Sequence, residues 1–129
     1  MSRLVALGKQ AVGLALVAAD LAALERRLAR MADGAAPPLP DIAAHLVQGG
    51  GKRMRPLILL LAARAHGLSA EEVLPLACAA ELIHSATLLY DDVEDEADQR
   101  RGRVVANQRW GNALAVLAGD FCLARALTE

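Results

Sequence analysis

A long, mainly apolar run at residues 77–90 leads directly into a dense group of acids at 91–98. The run contains neither glycine nor proline, so it predicts one buried helix, expected from about residue 74 to residue 96. Hydrophobic residues make up 55% of the 129-residue chain and aromatic residues only 2%. A core of Leu, Ala and Val favours helices over strands, and we therefore expect an all-α fold.

The acids at the end of this helix have the spacing of a metal site. Asp91 and Asp95 are four residues apart, which places them on one helix face about 6 Å apart at Cβ. His84 falls on the same face, seven residues earlier. A hard divalent cation such as Mg²⁺ would offset the repulsion between the carboxylates and could also hold phosphate oxygens. Arg100 and Arg101 follow and offer groups that pair with phosphate. The alternative is an ordinary solvated helix end.

A second informative segment is GGGKRMRP at residues 49–56. Its glycines permit close backbone approach, and Lys52, Arg53 and Arg55 then place three cations at the start of a helix that contains Pro56 in its first turn. Such a junction favours an anion. The spacing of Arg53 directs it away from the other two cations. The GxxxxGK[ST] spacing of a P-loop is absent, and the alternative here is a helix end with a solvated basic turn.

The rest of the pattern predicts a coarse helical layout. Ser69 and Glu72 have the spacing of a capping box, but Pro75 follows closely, so a short turn is expected before the main helix. Further helices are expected at residues 4–31, 41–47, 56–66 and 112–127, with a loop at 98–105 that carries the arginines.

Charge and cysteine content exclude several functions. The net charge is −1, and the basic residues are local, so nucleic acid is not an expected partner. Cys78 and Cys122 form no CxxC pair and are interpreted as buried thiols of a reducing, cytoplasmic compartment. His45 and His66 are expected at the surface near helix ends, and no zinc pattern is present.

The N-terminal region contains an apolar run after two basic residues. It faintly resembles a signal peptide, but Leu21, Leu24 and Leu28 continue a helical period and favour an amphipathic helix. No uncharged apolar run reaches the roughly 18 residues that a membrane span needs. We therefore expect no transmembrane segment.

Together, GGGKRMRP (49–56), ELIHSATLLYDDVEDEADQRRG (81–102) and LAGDF (117–121) resemble the trans-type isoprenyl diphosphate synthases, also called polyprenyl synthases. Motif order and spacing agree as well as motif identity. The resemblance implies the helical bundle of the isoprenoid synthases, here its N-terminal half only. It also implies Mg²⁺-dependent condensation of isopentenyl diphosphate with an allylic diphosphate.

The resemblance assigns roles by position. Mg²⁺ on the allylic diphosphate would be held by Asp91, Asp92 and Asp95, which are also the expected catalytic residues. Arg100 would contact the allylic diphosphate. The diphosphate of isopentenyl diphosphate would be bound by Lys52, Arg55, His84 and Arg101. The apolar face of residues 82–89 would line a dry pocket for the allylic cation.

The chain departs from the family pattern at three points. Tyr90 stands where histidine is frequent and Glu94 where an apolar residue is usual, and neither change removes an expected ligand. Family members run to about three hundred residues, so residues 1–129 are interpreted as one truncated synthase domain without the second acid motif. The alternatives are a non-catalytic diphosphate-binding subunit and an inactive helical fragment.

The family resemblance also bears on assembly and product length. A homodimer or hetero-oligomer is expected. Ser85, Ala86 and Thr87, about one turn before the acids, are small, which is typical of members with long products. Ala86 and Thr87 are the positions expected to limit channel depth, with Ser85 beside them.

Overall fold

The computed structural model describes residues 2–49 and 51–129, and the side chains from residue 15 onward. This part of the chain contains six helices and one short hairpin, which confirms the expected all-α class. In chain order they are α1 (Ser2–Ala29), α2 (Leu39–Gln48), α3 (Met54–Ala65), α4 (Ala70–Glu94), β1 (Gln99–Arg100), β2 (Arg103–Val104), α5 (Ala106–Trp110) and α6 (Asn112–Thr128).

The central helix α4 begins at Ala70, four residues earlier than expected. Ser69 forms a complete capping box, because its Oγ accepts from the Glu72 backbone N–H and Glu72 Oε2 accepts from the Ser69 N–H at 2.8 Å. Pro75 lies inside the helix, where its missing N–H costs one backbone hydrogen bond near the N-terminus. The expected turn before α4 was therefore wrong, since the capping interactions outweigh one lost bond.

Small side chains let α4 pack closely against α6. Ala77, Ala86, Ala115 and Ala118 are all buried in the core. Gly119 is also buried, and a Cβ added there would lie 2.5 Å from the Tyr90 ring. The low aromatic content of the chain thus corresponds to a tight, alanine-rich helix interface.

Helix α1 covers one side of this pair as an amphipathic helix. Val17, Leu24 and Leu28 are buried, which confirms the helical period for the described side chains of α1. Asp20 is also buried, and its carboxylate accepts from Arg64 Nε of α3 at 3.0 Å. The first fourteen side chains lie outside the described part.

The expected loop at residues 98–105 contains a two-residue hairpin. Its strands pair Gln99 with Val104 and Arg100 with Arg103. Between them, Arg101 and Gly102 have φ of +53° and +73°, the positive values that a tight type I′ turn requires at both central residues. The short helix α5 follows this hairpin and was not anticipated.

By length and composition, α4 is apolar enough to span a membrane. The expectation from the sequence covered only apolar runs without any charged residue, and α4 qualifies when a few charged residues are allowed. This evidence is weak, because the core helix of a soluble protein has the same composition. Glu81 and Asp92 of α4 are buried here, and each is paired with an arginine. We therefore interpret α4 as a core helix.

Both cysteines are buried and unpaired, as expected. Burial raises the pKa of the Cys78 thiol to about 11 and that of the Cys122 thiol to about 12. Thiols with such pKa values stay protonated at neutral pH and behave as small core residues.

Candidate functional site

The hairpin places its two arginines at different parts of the site. Arg100 forms a forked ion pair with Asp92 on α4, with Nη2 2.7 Å and Nε 3.0 Å from Oδ1. This bond raises the pKa of Arg100 against the effect of burial. Asp92 is only 5% exposed, so the pair locks the hairpin onto the last turn of α4.

The other two predicted metal ligands face solvent. Asp91 and Asp95 are both exposed, and the Asp95 N–H donates to the Asp91 carbonyl at the end of α4. In the part of the chain that the structure describes, no three acidic, histidine or cysteine side chains converge as a metal site. The predicted set of three aspartates is thus divided, two towards solvent and one towards Arg100.

This donor set fits Mg²⁺ only in part. Mg²⁺ commonly uses one or two protein carboxylates and completes its shell with water and substrate phosphates. The C-terminal end of a helix also favours a cation, so Asp91 and Asp95 are suitable ligands. Asp92 becomes available only when its carboxylate exchanges Arg100 for the metal.

A basic cavity of about 480 Å³ lies beside the start of α3. Its lining includes Lys52 and Arg55 from the α3 junction, His84 from α4 and Arg101 from the hairpin turn. These are the four residues that the resemblance assigned to one diphosphate. The structure therefore brings together side chains that are up to 49 positions apart in the sequence (52 to 101).

Gly51 allows the hairpin to approach this junction. Its φ is +144°, and a Cβ built on it would lie 3.0 Å from Nη1 of Arg101. The Arg101 guanidinium consequently packs against the glycine backbone. Gly50 of the same motif lies outside the described residues.

The surroundings of His84 favour its neutral ring. Burial lowers its pKa, and the nearby charges of Arg55 and Arg101 lower it further, although Glu81 acts in the opposite direction. An anion in the cavity would favour the protonated ring.

Arg53 also lines the basic cavity, together with Glu81, but its side chain is only 11% exposed. Its guanidinium donates to Glu25 at 2.6 Å, to Glu81 at 2.9 Å and to the Val47 carbonyl at 3.2 Å. Arg53 has a left-handed φ of +50°. It thereby ties the α3 junction to α1, α2 and α4. Sequence spacing indicated its direction, but nothing in the sequence identified these partners.

His45 was wrongly expected at the surface. It is half-buried where α2 meets β2 and α5. His66, by contrast, is exposed at the end of α3, as expected.

Tyr90 and Glu94, which depart from the family pattern, have different surroundings. The Tyr90 hydroxyl donates to Asp120 at 2.5 Å, and burial together with this acceptor raises the pKa of Tyr90 to about 12. Glu94 is exposed. Neither side chain takes the place of a predicted ligand.

The positions expected to set the channel depth differ in their exposure. Ala86 has no exposed surface and lies in the core between α4 and its neighbours. Leu82 and Leu89 are likewise core residues. Thr87 is exposed, and Ser85 lines a second cavity of about 60 Å³. Of the two positions predicted to limit the channel, Ala86 is buried and Thr87 is exposed, and their role in product length stays a prediction.

Comparison with known proteins gives a consistent result. A family model described as polyprenyl synthetase matches residues 36–129. Component 2 of the heptaprenyl diphosphate synthase of Geobacillus stearothermophilus is 47% identical over 84% of this chain and 34% of its own length.

Two solved structures are similar in fold. A decaprenyl diphosphate synthase from Rhodobacter capsulatus has a TM-score of 0.84 and 44% identity, covering 90% of this chain and 36% of the other. A polyprenyl synthase from Caulobacter crescentus CB15, complexed with calcium and isoprenyl diphosphate, has a TM-score of 0.85 and 43% identity. This match covers 90% of the present chain and 35% of the Caulobacter chain. The present chain thus spans about a third of the length of the relatives it matches.

Proposed function

The chain belongs to the polyprenyl synthetase family, and from this premise we propose that it supplies the diphosphate-binding part of a long-chain polyprenyl diphosphate synthase. The reaction is the condensation of isopentenyl diphosphate with an allylic diphosphate. The observation that carries the proposal is the convergence of Lys52, Arg55, His84 and Arg101 on one cavity.

The basic cavity binds the diphosphate of isopentenyl diphosphate. Lys52, Arg55 and Arg101 supply positive charge from two separate elements, and their combined charge favours a multiply charged anion over a monoanion. Arginine forks match phosphate oxygens with two parallel hydrogen bonds. His84 adds a further donor.

The acid-bearing end of α4 takes the allylic diphosphate together with Mg²⁺. Asp91 and Asp95 would hold the metal, and Asp92 would be available to it once Arg100 had released that carboxylate to contact the diphosphate. When bound, Mg²⁺ stabilises the negative charge that develops on the leaving diphosphate. The calcium and isoprenyl diphosphate in the Caulobacter structure support a divalent cation here.

Calorimetric titration of the chain with isopentenyl diphosphate tests the basic cavity. We expect Arg55→Gln to weaken binding at least tenfold, the effect of one lost charge-assisted hydrogen bond. Arg30→Gln is the matched control, since Arg30 is an exposed cation just after α1. Equal losses in both variants would contradict a localised site.

The metal requirement is tested separately with an allylic diphosphate. Binding should depend on Mg²⁺ and be lost in the Asp91→Asn/Asp95→Asn double variant. Glu94→Gln, which removes an exposed acid from the same turn, should retain it. Mg²⁺-dependent binding that survives the double variant would exclude these two carboxylates as ligands.

The chain also has surfaces suited to a further protein. Large apolar side chains are exposed on four of the described helices, namely Leu16, Met54, Ile58, Leu61, Leu76, Ile83, Val116, Leu117 and Leu127. Apolar exposure of this extent is typical of interaction sites. The relative from Geobacillus is named as one component of its synthase. We infer a homodimer or hetero-oligomer in the cytoplasm, where the two buried thiols stay reduced.

A non-catalytic role within such an assembly is the second candidate. It is favoured by the name of the Geobacillus relative, which is one component of its synthase. Diphosphate binding without turnover of labelled isopentenyl diphosphate by the pure chain would support this role.

A further inference from the structure

The contacts of His45 connect helix α2 to the hairpin that carries Arg100 and Arg101. His45 Nε2 lies 2.8 Å from the Val104 carbonyl, and Nδ1 lies 3.3 Å from Arg103 Nη2. Arg103 Nη1 also donates to the His45 carbonyl at 3.2 Å. His45 therefore contacts both residues of β2 through three hydrogen bonds.

These partners determine which nitrogen of the ring carries the proton. A carbonyl oxygen only accepts, so Nε2 must be the N–H donor to Val104. A guanidinium only donates, so Nδ1 must be the acceptor from Arg103. Both contacts are satisfied only by the neutral ring protonated at Nε2. A second proton, on Nδ1, would face the Arg103 guanidinium.

The surroundings of the ring oppose its protonation. Trp110 of α5 meets the ring edge to face, with centroids 5.2 Å apart, and the Arg109 guanidinium lies 4.5 Å above the Trp110 ring. Burial lowers the pKa of His45, and the charges of Arg103 and Arg109 lower it further, although the bond to Val104 acts in the opposite direction. The charged groups that face His45 from the hairpin and α5 are thus both cationic.

The hairpin is too short to hold its position by strand pairing alone. It has two residues in each strand, and an isolated pair of this length is not stable in water. On the α4 side Arg100 is bound to Asp92. On the α2 side both residues of β2 are hydrogen-bonded to His45. The two anchors lie on opposite strands of the hairpin.

We propose that His45, in its neutral Nε2–H form, is a positioning residue that fixes the Arg101 turn over the basic cavity and so prepares the site for diphosphate. The inference rests on the proposed function. It assigns no contact between His45 and the substrate. When Arg100 exchanges Asp92 for a diphosphate, the His45 anchor still holds β2 in place.

The first test needs no ligand. NMR spectra of the ¹⁵N-labelled chain should show the tautomer protonated at Nε2 at pH 7.5, and the ring should titrate below the ordinary pKa of 6.5. The amide signals of residues 100–104 should shift with the midpoint of the His45 ring. In His45→Gln, which keeps a donor but cannot be protonated, this pH response should be absent. Hairpin amides that do not respond in the wild-type chain would overturn the proposal.

The second test measures affinity for isopentenyl diphosphate at constant pH. His45→Phe keeps an aromatic ring against Trp110 but removes both polar contacts of the ring. The affinity should fall about fivefold to tenfold, which corresponds to the energy of about one hydrogen bond. His45→Gln should recover most of this loss. His66→Phe is the matched control, because His66 is exposed and bonds only to the Ala62 carbonyl of its own helix.

The outcomes separate this inference from the proposed function. Equal affinity in His45→Phe and His66→Phe would refute positioning by His45 while leaving the diphosphate site intact. If the wild-type chain binds no diphosphate, the proposed function fails, and the NMR titration still decides whether His45 holds the hairpin. If His45→Phe does not fold, His45→Gln and the ring titration provide the decision.

Discussion

Replacing Arg53 by methionine should destabilise the chain more than any change at its exposed partner. Arg53 and Glu81 have side-chain exposures of 11% and 8%, whereas Glu25 is 43% exposed. Removing one member of a buried ion pair costs about 3–5 kcal/mol, because the other charge stays buried and uncompensated. The pair with Glu25 adds at most about 1 kcal/mol, since Glu25 can be hydrated.

We therefore expect Arg53→Met to lower the free energy of unfolding by about 3–4 kcal/mol. Urea denaturation followed by circular dichroism measures this change. With an m-value of about 1.5 kcal/mol per molar urea, the midpoint should fall by about 2 M or more. Methionine accepts the left-handed backbone no better than arginine, so backbone strain does not contribute to the difference.

Two further variants test the assignment. Glu25→Gln should cost no more than about 1 kcal/mol. The double variant Arg53→Met/Glu81→Leu should be more stable than Arg53→Met alone, because it removes the unpaired buried carboxylate. An Arg53→Met loss as small as that of Glu25→Gln, with no recovery in the double variant, would refute the interpretation of this pair as a buried anchor.

The remaining predictions concern the site and the assembly. Gly51→Ala should cost about 1–3 kcal/mol through its positive φ and weaken isopentenyl diphosphate binding by displacing Arg101. Gly67→Ala is strained as well, with φ of +73° but open space around it, and calorimetry should show no loss of binding. In a protein completed with the remaining length of its relatives, Thr87→Phe should shorten the product measured by chromatography, and unchanged products would exclude Thr87 from the channel. Light scattering should detect a dimer or larger species at micromolar concentration, and a sharp monomer peak would contradict this expectation.

The sequence predicted the helices better than the connections between them. Apolar runs and helical periods located α1 and α4 because burial determines both. The start of α4 was misplaced because the proline was given more weight than the capping box at Ser69 and Glu72. Gly102 was an available signal for the hairpin. The positive φ of Arg101 could not be predicted from the sequence, because arginine is not typical of that conformation.

Site residues could be predicted by motif, whereas their partners depended on tertiary structure. The spacing of the basic motif indicated a different direction for Arg53 than for Lys52 and Arg55. The helix layout alone did not identify Glu25 and Glu81 as the partners of Arg53. His45 was misjudged for the same reason. Its position at a helix end gave no indication that β2 and Trp110 would cover it.

A crystal structure of the chain with Mg²⁺ and isopentenyl diphosphate tests the central claim most directly. We expect the diphosphate in the basic cavity, with its oxygens about 2.7–3.2 Å from nitrogens of Lys52, Arg55 and Arg101. A diphosphate bound at another surface, or a cavity in which Arg101 turns away from the bound anion, would contradict it.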